Sequence, residues 1–229
     1  MKENLSMKWN YKELIILLIL ALAFVPVVIE IVVNDLLYLV FENNLYAGTA
    51  TGLIMAIVFT SGVYIVALMP HNLNWSEVGW TSFSKHYWKW IIVWSLVLIV
   101  ASILVLIVMD SFNIGVDNSK TASLKQHVTW FTFSIGFISA AIISPVYEEI
   151  FYRGFLYKWF RVKWGVGAGL LFSSLIFTLV HIPTYNTLPV NFISGLIFAW
   201  TYEKTNSIIP AIIIHGIFNG LGIILTSIS

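Results

Sequence analysis

Two adjacent carboxylates and an arginine are the charged residues in this sequence best placed to do chemistry. Glu148, Glu149 and Arg153 directly continue a 20-residue uncharged run. A charge at bilayer depth costs at least about 2.5–3.5 kcal/mol on insertion scales, so such residues face a cavity or one another. Glu149 and Arg153 lie four apart with the acid first, the favourable order for an ion pair on a helix. Glu148 lies about 100° round the helix from Glu149.

Three further polar side chains lie on later apolar runs. His181 ends the box Phe177-x-x-x-His181, and His215 begins the box His215-x-x-x-Asn219. The first and last residues of such a box share one face of a helix. His215 and Asn219 are therefore predicted to point the same way, into the bundle.

A carboxylate, two histidines and an asparagine in a partly dry cavity are suited to hydrolysis. Burial makes Glu148 a stronger base toward a water molecule. His181 is expected to share and orient that water. His215 and Asn219 are expected to donate hydrogen bonds to the oxyanion of a tetrahedral intermediate, where one well-placed donor is worth about 3–4 kcal/mol.

Zinc is the alternative use of the same residues. Glu148, His181 and His215 would supply one carboxylate and two imidazoles, a familiar catalytic zinc set. The sequence lacks the His-Glu-x-x-His box that presents two ligands from one helix, so the ligands would come from three helices. The prediction is a site without a metal or other cofactor, with zinc as the alternative.

The composition excludes an ordinary soluble protein. Of 229 residues, 59% are hydrophobic and 10% are charged, whereas about a quarter of a soluble domain is charged. The formal net charge is +1 and no run of Lys or Arg is long enough to follow a phosphate backbone, so nucleic acid is not an expected partner. Cysteine is absent, which removes thiol catalysis and cysteine metal sites. An integral membrane protein remains, with the lipid bilayer as its surroundings.

Charge-free apolar runs predict the elements that carry the polar residues. Each run is close to the roughly 20 residues that cross about 30 Å of hydrocarbon as a helix, whereas membrane strands are shorter and alternate polar with apolar residues. The predicted fold is an all-α polytopic membrane helix bundle of about seven transmembrane helices, or eight if one is re-entrant. Residues 1–229 are expected to form a single integral membrane domain. The runs are Leu14–Ile29, Ala47–Met69, Trp90–Met109, Val128–Tyr147, Trp164–Val180, Ile182–Tyr202 and Thr205–Ser229.

The run that leads into the acidic motif is too long for one straight span. From Val128 to Lys158 it would make about 45 Å of helix. Pro145 is expected to kink or break this helix, and Ser144 is placed to help satisfy the freed carbonyls. The acidic motif is therefore predicted just below a proline break.

The distribution of Lys and Arg predicts the orientation. With the N-terminus in the cytoplasm, nine of these residues lie inside and two outside, as the positive-inside rule requires. The chain is therefore predicted to be a multi-pass cell-membrane protein whose C-terminus lies outside. The inner set is Lys2, Lys8, Lys12, Lys85, Lys89, Lys158, Arg161, Lys163 and Lys204, and the outer set is Lys120 and Lys125.

Most other acids and histidines are predicted to be solvated in loops or at span ends. Glu30, late in the first run, is interpreted as an interfacial side chain. The other members of this group are Glu77, Asp110, Asp117, Glu203, His71, His86 and His127.

The polar groups form three motifs in a fixed order. They are Glu148-Glu149-x-x-x-Arg153, Phe177-x-x-x-His181 and His215-x-x-x-Asn219. This pattern resembles that of the CAAX-protease and bacteriocin-processing intramembrane proteases, also called the Abi family. The stretch from Gly195 to Ile208 is similar to the family's linker before its third motif, with Ala199 and Asn206 where glycines are expected. The resemblance covers about residues 127–222, the expected catalytic core.

The resemblance implies an endopeptidase that acts on peptide bonds near the membrane. Glu148 would activate the water beside His181, while Glu149 and Arg153 support the site. Some members of the family are described as glutamate proteases and others as metalloproteases, so zinc stays open. The implied catalytic residues are Glu148, Glu149, Arg153, His181, His215 and Asn219.

The substrate is inferred from composition and from the resemblance. Eukaryotic relatives trim prenylated CAAX proteins, whereas bacterial relatives are linked to bacteriocin maturation, self-immunity or peptide signalling. Ten Lys against two Arg indicate an AT-rich bacterium, in whose plasma membrane a prenylated substrate is not expected. The predicted substrate is a small peptide or a membrane protein, and the oligomeric state is left open.

Two functions without proteolysis remain open. A non-catalytic bacteriocin self-immunity membrane protein would bind a toxin or its receptor and would tolerate the loss of Glu148. A proton-coupled transporter could use the buried Glu and His residues as a relay. Transport predicts an internal repeat in the span pattern, and none is evident.

Overall fold

The computed structural model describes residues 8–115 and 129–228, and these ranges contain helices, turns and loops but no strand. The fold is the predicted all-α polytopic membrane helix bundle. The predicted positions of Lys2, Asp117, Lys120, Lys125 and His127 lie outside the described residues. The helical segments are α1 Tyr11–Phe41, α2 Asn44–His71, α3 Lys85–Ser111, α4 Trp130–Trp164, α5 Val166–Leu179, α6 Leu188–Thr205 and α7 Ile209–Ile228.

Five of these segments are long and apolar enough to cross a membrane, namely α1, α2, α3, α4 and α7. The fifth predicted span is shorter than expected, because α5 has 14 residues, about 21 Å of helix. The sixth starts later than Ile182: a short turn at Tyr185–Thr187 precedes α6, and Pro189 lies in its first turn, where proline is favoured. His181 therefore lies in the turn between α5 and α6 rather than inside a helix.

Local sequence sets several of the helix boundaries. The side-chain oxygen of Asn43 accepts hydrogen bonds from the backbone of Leu45 and Tyr46 and so caps α2. Gly165, at a φ of +88°, separates α4 from α5. Asn206 ends α6 at a φ of 51°, a left-handed conformation that favours glycine and tolerates asparagine. This conformation explains why asparagine can stand where the family linker is expected to have glycine.

Pro145 was predicted to kink or break α4; the helix continues through this proline, so the break is wrong. The helix has wider π-type turns over Ser139–Ile143, directly before Ser144 and Pro145. The N–H of Ser144 donates to the carbonyl of Ser139, five residues back. The wider turn accommodates the proline ring, which would clash with a carbonyl four residues back in an ordinary α-helix.

The lower half of α4 is the centre of the core. Every residue from 149 to 160 is buried, and Phe151, Phe155 and Trp159 have no exposed surface. This core packs against α1, α2 and α5, while a smaller apolar cluster joins α3, α6 and α7. The bundle thus holds the acidic motif in its interior.

Two ion pairs tie the end of α4 to distant parts of the chain. Lys158 pairs with Glu77 in the loop after α2, and Arg161 Nε lies 2.9 Å from Glu203 Oε2 on α6. The hydroxyl of Tyr157 also donates to Glu203 at 2.7 Å. We call Glu77, Lys158, Arg161 and Glu203 the anchor cluster. The prediction that Glu77 and Glu203 are simply solvated is therefore wrong, because each is paired with a basic side chain.

The start of α1 lies at the same end of the bundle as the anchor cluster. The indole N–H of Trp159 donates to the carbonyl of Asn10 at 3.0 Å. His71, predicted to be a surface histidine, lies with Nε2 3.3 Å from Glu13 Oε1. The beginning of α1 and the ends of α2 and α4 are therefore brought together, as the grouping of basic residues predicts.

Candidate active site

The predicted ion pair on α4 is present in the core. Arg153 Nη1 lies 3.0 Å from Glu149 Oε1, and both side chains are 0% exposed. Removing one partner of a buried pair leaves an uncompensated charge, which typically costs about 3–5 kcal/mol. The two residues therefore depend on each other.

Aromatic rings and a backbone carbonyl also surround Arg153. Its Nη2 donates to the carbonyl of Gly195 on α6 at 3.2 Å. Its guanidinium carbon lies 4.4 Å from the ring centre of Phe177 and 5.0 Å from that of Phe198, within cation–π range. One side chain thus joins α4, α5 and α6.

His215 on α7 lies between the two adjacent carboxylates. Its Nδ1 is 2.9 Å from Glu149 Oε1, and its Nε2 is 3.8 Å from Glu148 Oε2. Glu149 is held as a hydrogen-bond acceptor by Arg153, so we assign the Nδ1 proton to His215. Its Nε2 is then the nitrogen that faces Glu148. We call Glu148, Glu149, Arg153 and His215 the inner cluster.

His181 joins this region through Phe177. Its Nδ1 lies 2.7 Å from the Phe177 carbonyl oxygen, which only accepts, so Nδ1 carries the proton and Nε2 is the acceptor nitrogen. The Phe177 ring lies edge-on to both histidines, with centroid distances of 4.9 Å to His181 and 6.0 Å to His215. The ring of Phe177 therefore separates and orients the two imidazoles.

Asn219 shares the face of His215, as predicted, and both side chains contact α4. Its Nδ2 donates to the backbone carbonyl of Ala140 at 3.0 Å, about two turns before Glu148. Glu148 and Asn219 are partly exposed, whereas His215 is 4% exposed. The site thus extends from buried residues, such as His215, to partly exposed ones, such as Glu148 and Asn219.

Sequence reasoning missed the aromatic and backbone groups that hold the charges. Phe198 stacks on His215 with a centroid distance of 4.6 Å and an interplanar angle of 19°. Neither Phe198 nor Gly195 carries a charge, and their only signal is their place in the linker between the second and third motifs. Glu30 was interpreted as interfacial, yet it lies within electrostatic reach of Tyr147 and Tyr152, which also interact with Glu148.

An apolar cavity of about 250 Å³ lies beside α4 but does not face Glu148. Val146 and Ile150 line it together with Thr60 and two tryptophans of the loop after α2. Residues two positions away on a helix point to nearly opposite sides. This cavity is therefore separate from the inner cluster.

The alternative zinc set does not assemble in this geometry. Across the described parts of the chain, no group of three or more His, Asp or Glu side chains is placed to hold a metal ion. Glu148 and His215 approach each other, and His181 is turned by its bond to Phe177. In the described residues, these three side chains therefore do not fit one metal.

Comparison with known proteins finds similarity in the second half of the chain. Residues 130–221 match the family model described as type II CAAX prenyl endopeptidase Rce1-like. The chain is also similar to the UPF0177 protein YbdI of Lactococcus lactis subsp. lactis (strain IL1403), with 29% identity over 110 residues. That match covers 45% of this chain and 55% of the relative, so the chain spans about half the length of the curated relative it matches. No solved structure matches the chain.

The matched residues contain all three motifs, the helices α4 to α6 and the first part of α7. The comparisons therefore confirm the resemblance predicted from the motifs: over residues 130–221 the chain is similar to the CAAX-protease and bacteriocin-processing (Abi) family.

Proposed function

We propose that the chain is an intramembrane endopeptidase that hydrolyses peptide bonds of a small peptide or membrane-protein substrate. Water activated by Glu148 is the nucleophile, and no metal or other cofactor takes part. The family match supports a CAAX-type protease, and the geometry of the inner cluster supports the roles of its residues.

The observation that carries this proposal is the position of His215 between Glu148 and Glu149. Glu149, fixed by Arg153, holds the ring through Nδ1, so that Nε2 is directed at Glu148 at 3.8 Å. A histidine oriented by a carboxylate beside a second, partly exposed carboxylate is typical of acid–base sites. The aromatic face of Phe198 prevents the ring from turning away.

The proposed reaction begins with Glu148 taking a proton from a water molecule. The resulting hydroxide oxygen forms a bond to the carbonyl carbon of the scissile peptide, and the carbonyl oxygen becomes an oxyanion. The bond from carbon to nitrogen then breaks, and Glu148 returns the proton to the leaving amine. The products are a new carboxyl end and a new amino end, and Glu148 is regenerated.

Two histidines and an amide complete the proposed site. His181 accepts a hydrogen bond from the attacking water through Nε2. His215 donates from Nε2 to the oxyanion in the form in which its ring carries both protons, with Glu148 and Glu149 on either side of the imidazolium. Asn219 supplies a second donor from the remaining N–H of its amide. One such donor is worth about 2.7–4 kcal/mol in hydrolytic enzymes.

We further propose that the protein lies in a bacterial plasma membrane with the anchor cluster toward the cytoplasm. The contacts of Trp159, Lys158 and Arg161 bring the start of α1 and the ends of α2, α4 and α6 to one end of the bundle. That end carries most of the Lys and Arg residues, which are retained on the cytoplasmic side.

The test is a comparison of peptide pools from cells that carry wild-type protein or Glu148→Gln. The amide cannot accept the proton from water, so the expected result is a set of membrane or secreted peptides released only by the wild type, identified by mass spectrometry. Glu42→Gln is the matched control, because Glu42 is an exposed acid in the turn between α1 and α2, and it should release the same peptides as wild type.

Identical peptide pools from all three strains would contradict the proposal. If Glu148→Gln also retained a protective phenotype against a bacteriocin, binding-type self-immunity would be the better account. Loss of peptides in the Glu42→Gln control as well would show that the acid at position 148 is not specifically required.

A further inference from the structure

Pro145 removes one backbone hydrogen-bond donor from α4. In the π-type turns before it, hydrogen bonds run from each N–H to the carbonyl five residues back, as the bond from Ser144 to Ser139 shows. The next bond in this series would run from residue 145 to Ala140. Proline has no N–H, so the carbonyl of Ala140 has no donor in that register. In a membrane such a group costs free energy unless another group satisfies it.

The missing donor is supplied from α7. Asn219 Nδ2 donates to the carbonyl oxygen of Ala140 at 3.0 Å. The two helices also touch at the neighbouring carbonyl: a Cβ placed on Gly216 would lie 2.5 Å from the oxygen of Ala141. The glycine thus allows the backbone of α7 to come close enough for the Asn219 side chain to reach its partner.

We propose that Asn219 is a positioning residue that replaces the missing N–H of Pro145 and so fixes α7 on the segment of α4 that leads into Glu148. The same pair of helices is then joined at two points, Asn219 to Ala140 and His215 to Glu149. Two points determine both the separation and the rotation of α7. The distance between His215 and Glu148 therefore depends on Asn219. The expected effect of Asn219 on activity rests on the proposed function. Its expected effect on the contact between α4 and α7 rests on geometry alone.

The proposed role predicts that the residues at 145 and 219 are coupled. In Pro145→Ala the N–H at residue 145 returns and can donate to Ala140. If the helix instead adopts ordinary α turns, the N–H of Ser144 donates to Ala140. The backbone satisfies the carbonyl in either case, so the side chain of Asn219 is no longer needed there. If Asn219 acted only as a hydrogen-bond donor to the oxyanion, the effects of substitutions at 145 and 219 would not be coupled.

The first measurement is a double-mutant cycle on the purified full chain in detergent. Its members are wild type, Pro145→Ala, Asn219→Ala and the double variant, and the readout is reversible unfolding. Asn219→Ala should raise the unfolding equilibrium constant about threefold to tenfold in the wild-type background, the range for a hydrogen bond between membrane helices. In the Pro145→Ala background the same substitution should change it less than about twofold.

The second measurement is peptide release by the same four variants. Asn219→Ala should lower release, and adding Pro145→Ala should recover part of it. The matched control is Asn191→Ala, because the amide of Asn191 donates to Thr187 within its own helix region at 3.1 Å. Its effect should be the same in the wild-type and the Pro145→Ala backgrounds.

If Asn219→Ala raised the unfolding equilibrium constant equally in the two backgrounds, the proposed replacement of the Pro145 N–H by Asn219 would be overturned. Coupled unfolding without any recovery of peptide release would overturn the positioning of the catalytic helix. If the wild type itself released no peptide, the proposed function would fail, and the unfolding cycle would still decide whether Asn219 replaces the N–H of Pro145.

Discussion

The inner cluster and the anchor cluster both include residues of α4 but differ in how completely the protein encloses them. Arg153 and Glu149 are 0% exposed, and Arg153 also contacts Gly195 and two aromatic rings. Arg161 and Glu203 keep 26% and 17% of their side-chain surface exposed. The chain therefore contains two arginine–glutamate pairs with different physical properties.

The difference shows what burial of charge adds to an ion pair. At the exposed end, water screens the pair and can replace either partner, so such a pair contributes little to stability. In the interior no water replaces a lost partner, and every member must be present. Because each buried group is required, the inner cluster is held in one geometry, and the candidate base Glu148 is part of it. The anchor cluster joins loops and helices, whereas we propose that the inner cluster orients a reactive group.

Replacing Arg153 with methionine should give the largest effect on stability. The substitution leaves Glu149 buried without its cation, and we expect it to lower the free energy of unfolding by about 3–5 kcal/mol. Denaturant titration of the purified protein in detergent measures this change. Adding Glu149→Gln should recover part of the loss, because the buried charge is then removed. A single variant as stable as wild type would contradict the burial of this pair.

Replacing Phe198 with leucine should have an intermediate effect. The ring stacks on His215 and lies 5.0 Å from the Arg153 guanidinium, and these contacts together are worth about 1–3 kcal/mol. We also expect peptide release to fall, because the imidazole of His215 is then less well oriented. The control is Phe172→Leu, a partly exposed ring that packs near the end of α4. Unchanged release in Phe198→Leu would show that stacking does not orient His215.

Replacing Arg161 with methionine should have the smallest effect. The pair with Glu203 is partly exposed, so its loss is expected to cost at most about 1 kcal/mol. Peptide release should stay at the wild-type level, because the anchor cluster contacts no member of the inner cluster through this pair. A loss as large as that of Arg153→Met would remove the distinction between the two clusters.

The all-α class and the pairing of Glu149 with Arg153 could be predicted because they depend on composition and on spacing within one helix. The lengths of the helices could be predicted less well from the sequence. The sequence does not show that π-type turns carry α4 through Pro145, or that α5 ends at Leu179 so that His181 lies in a turn. Both features depend on packing between helices rather than on hydropathy.

The partners of the candidate site residues could not be predicted because they are remote along the chain. Glu149 and His215 are 66 residues apart, and Asn219 and Ala140 are 79 apart. Glu203 was predicted to be solvated. Its pairing with Arg161 could not be foreseen, because Arg161 lies 42 residues before it. Local patterns report which residues are unusual, but the contact partner of each is known only once the helices are packed.

The most direct test of the central claim is the source of the oxygen in the new peptide ends. Membranes that contain wild-type protein, Glu148→Gln or Glu42→Gln would be incubated in water labelled with ¹⁸O, and the released peptides would be analysed by mass spectrometry. If Glu148 activates water, wild type and Glu42→Gln release peptides whose new carboxyl ends carry ¹⁸O, and Glu148→Gln releases none. Release of the same labelled peptides by Glu148→Gln would contradict the account.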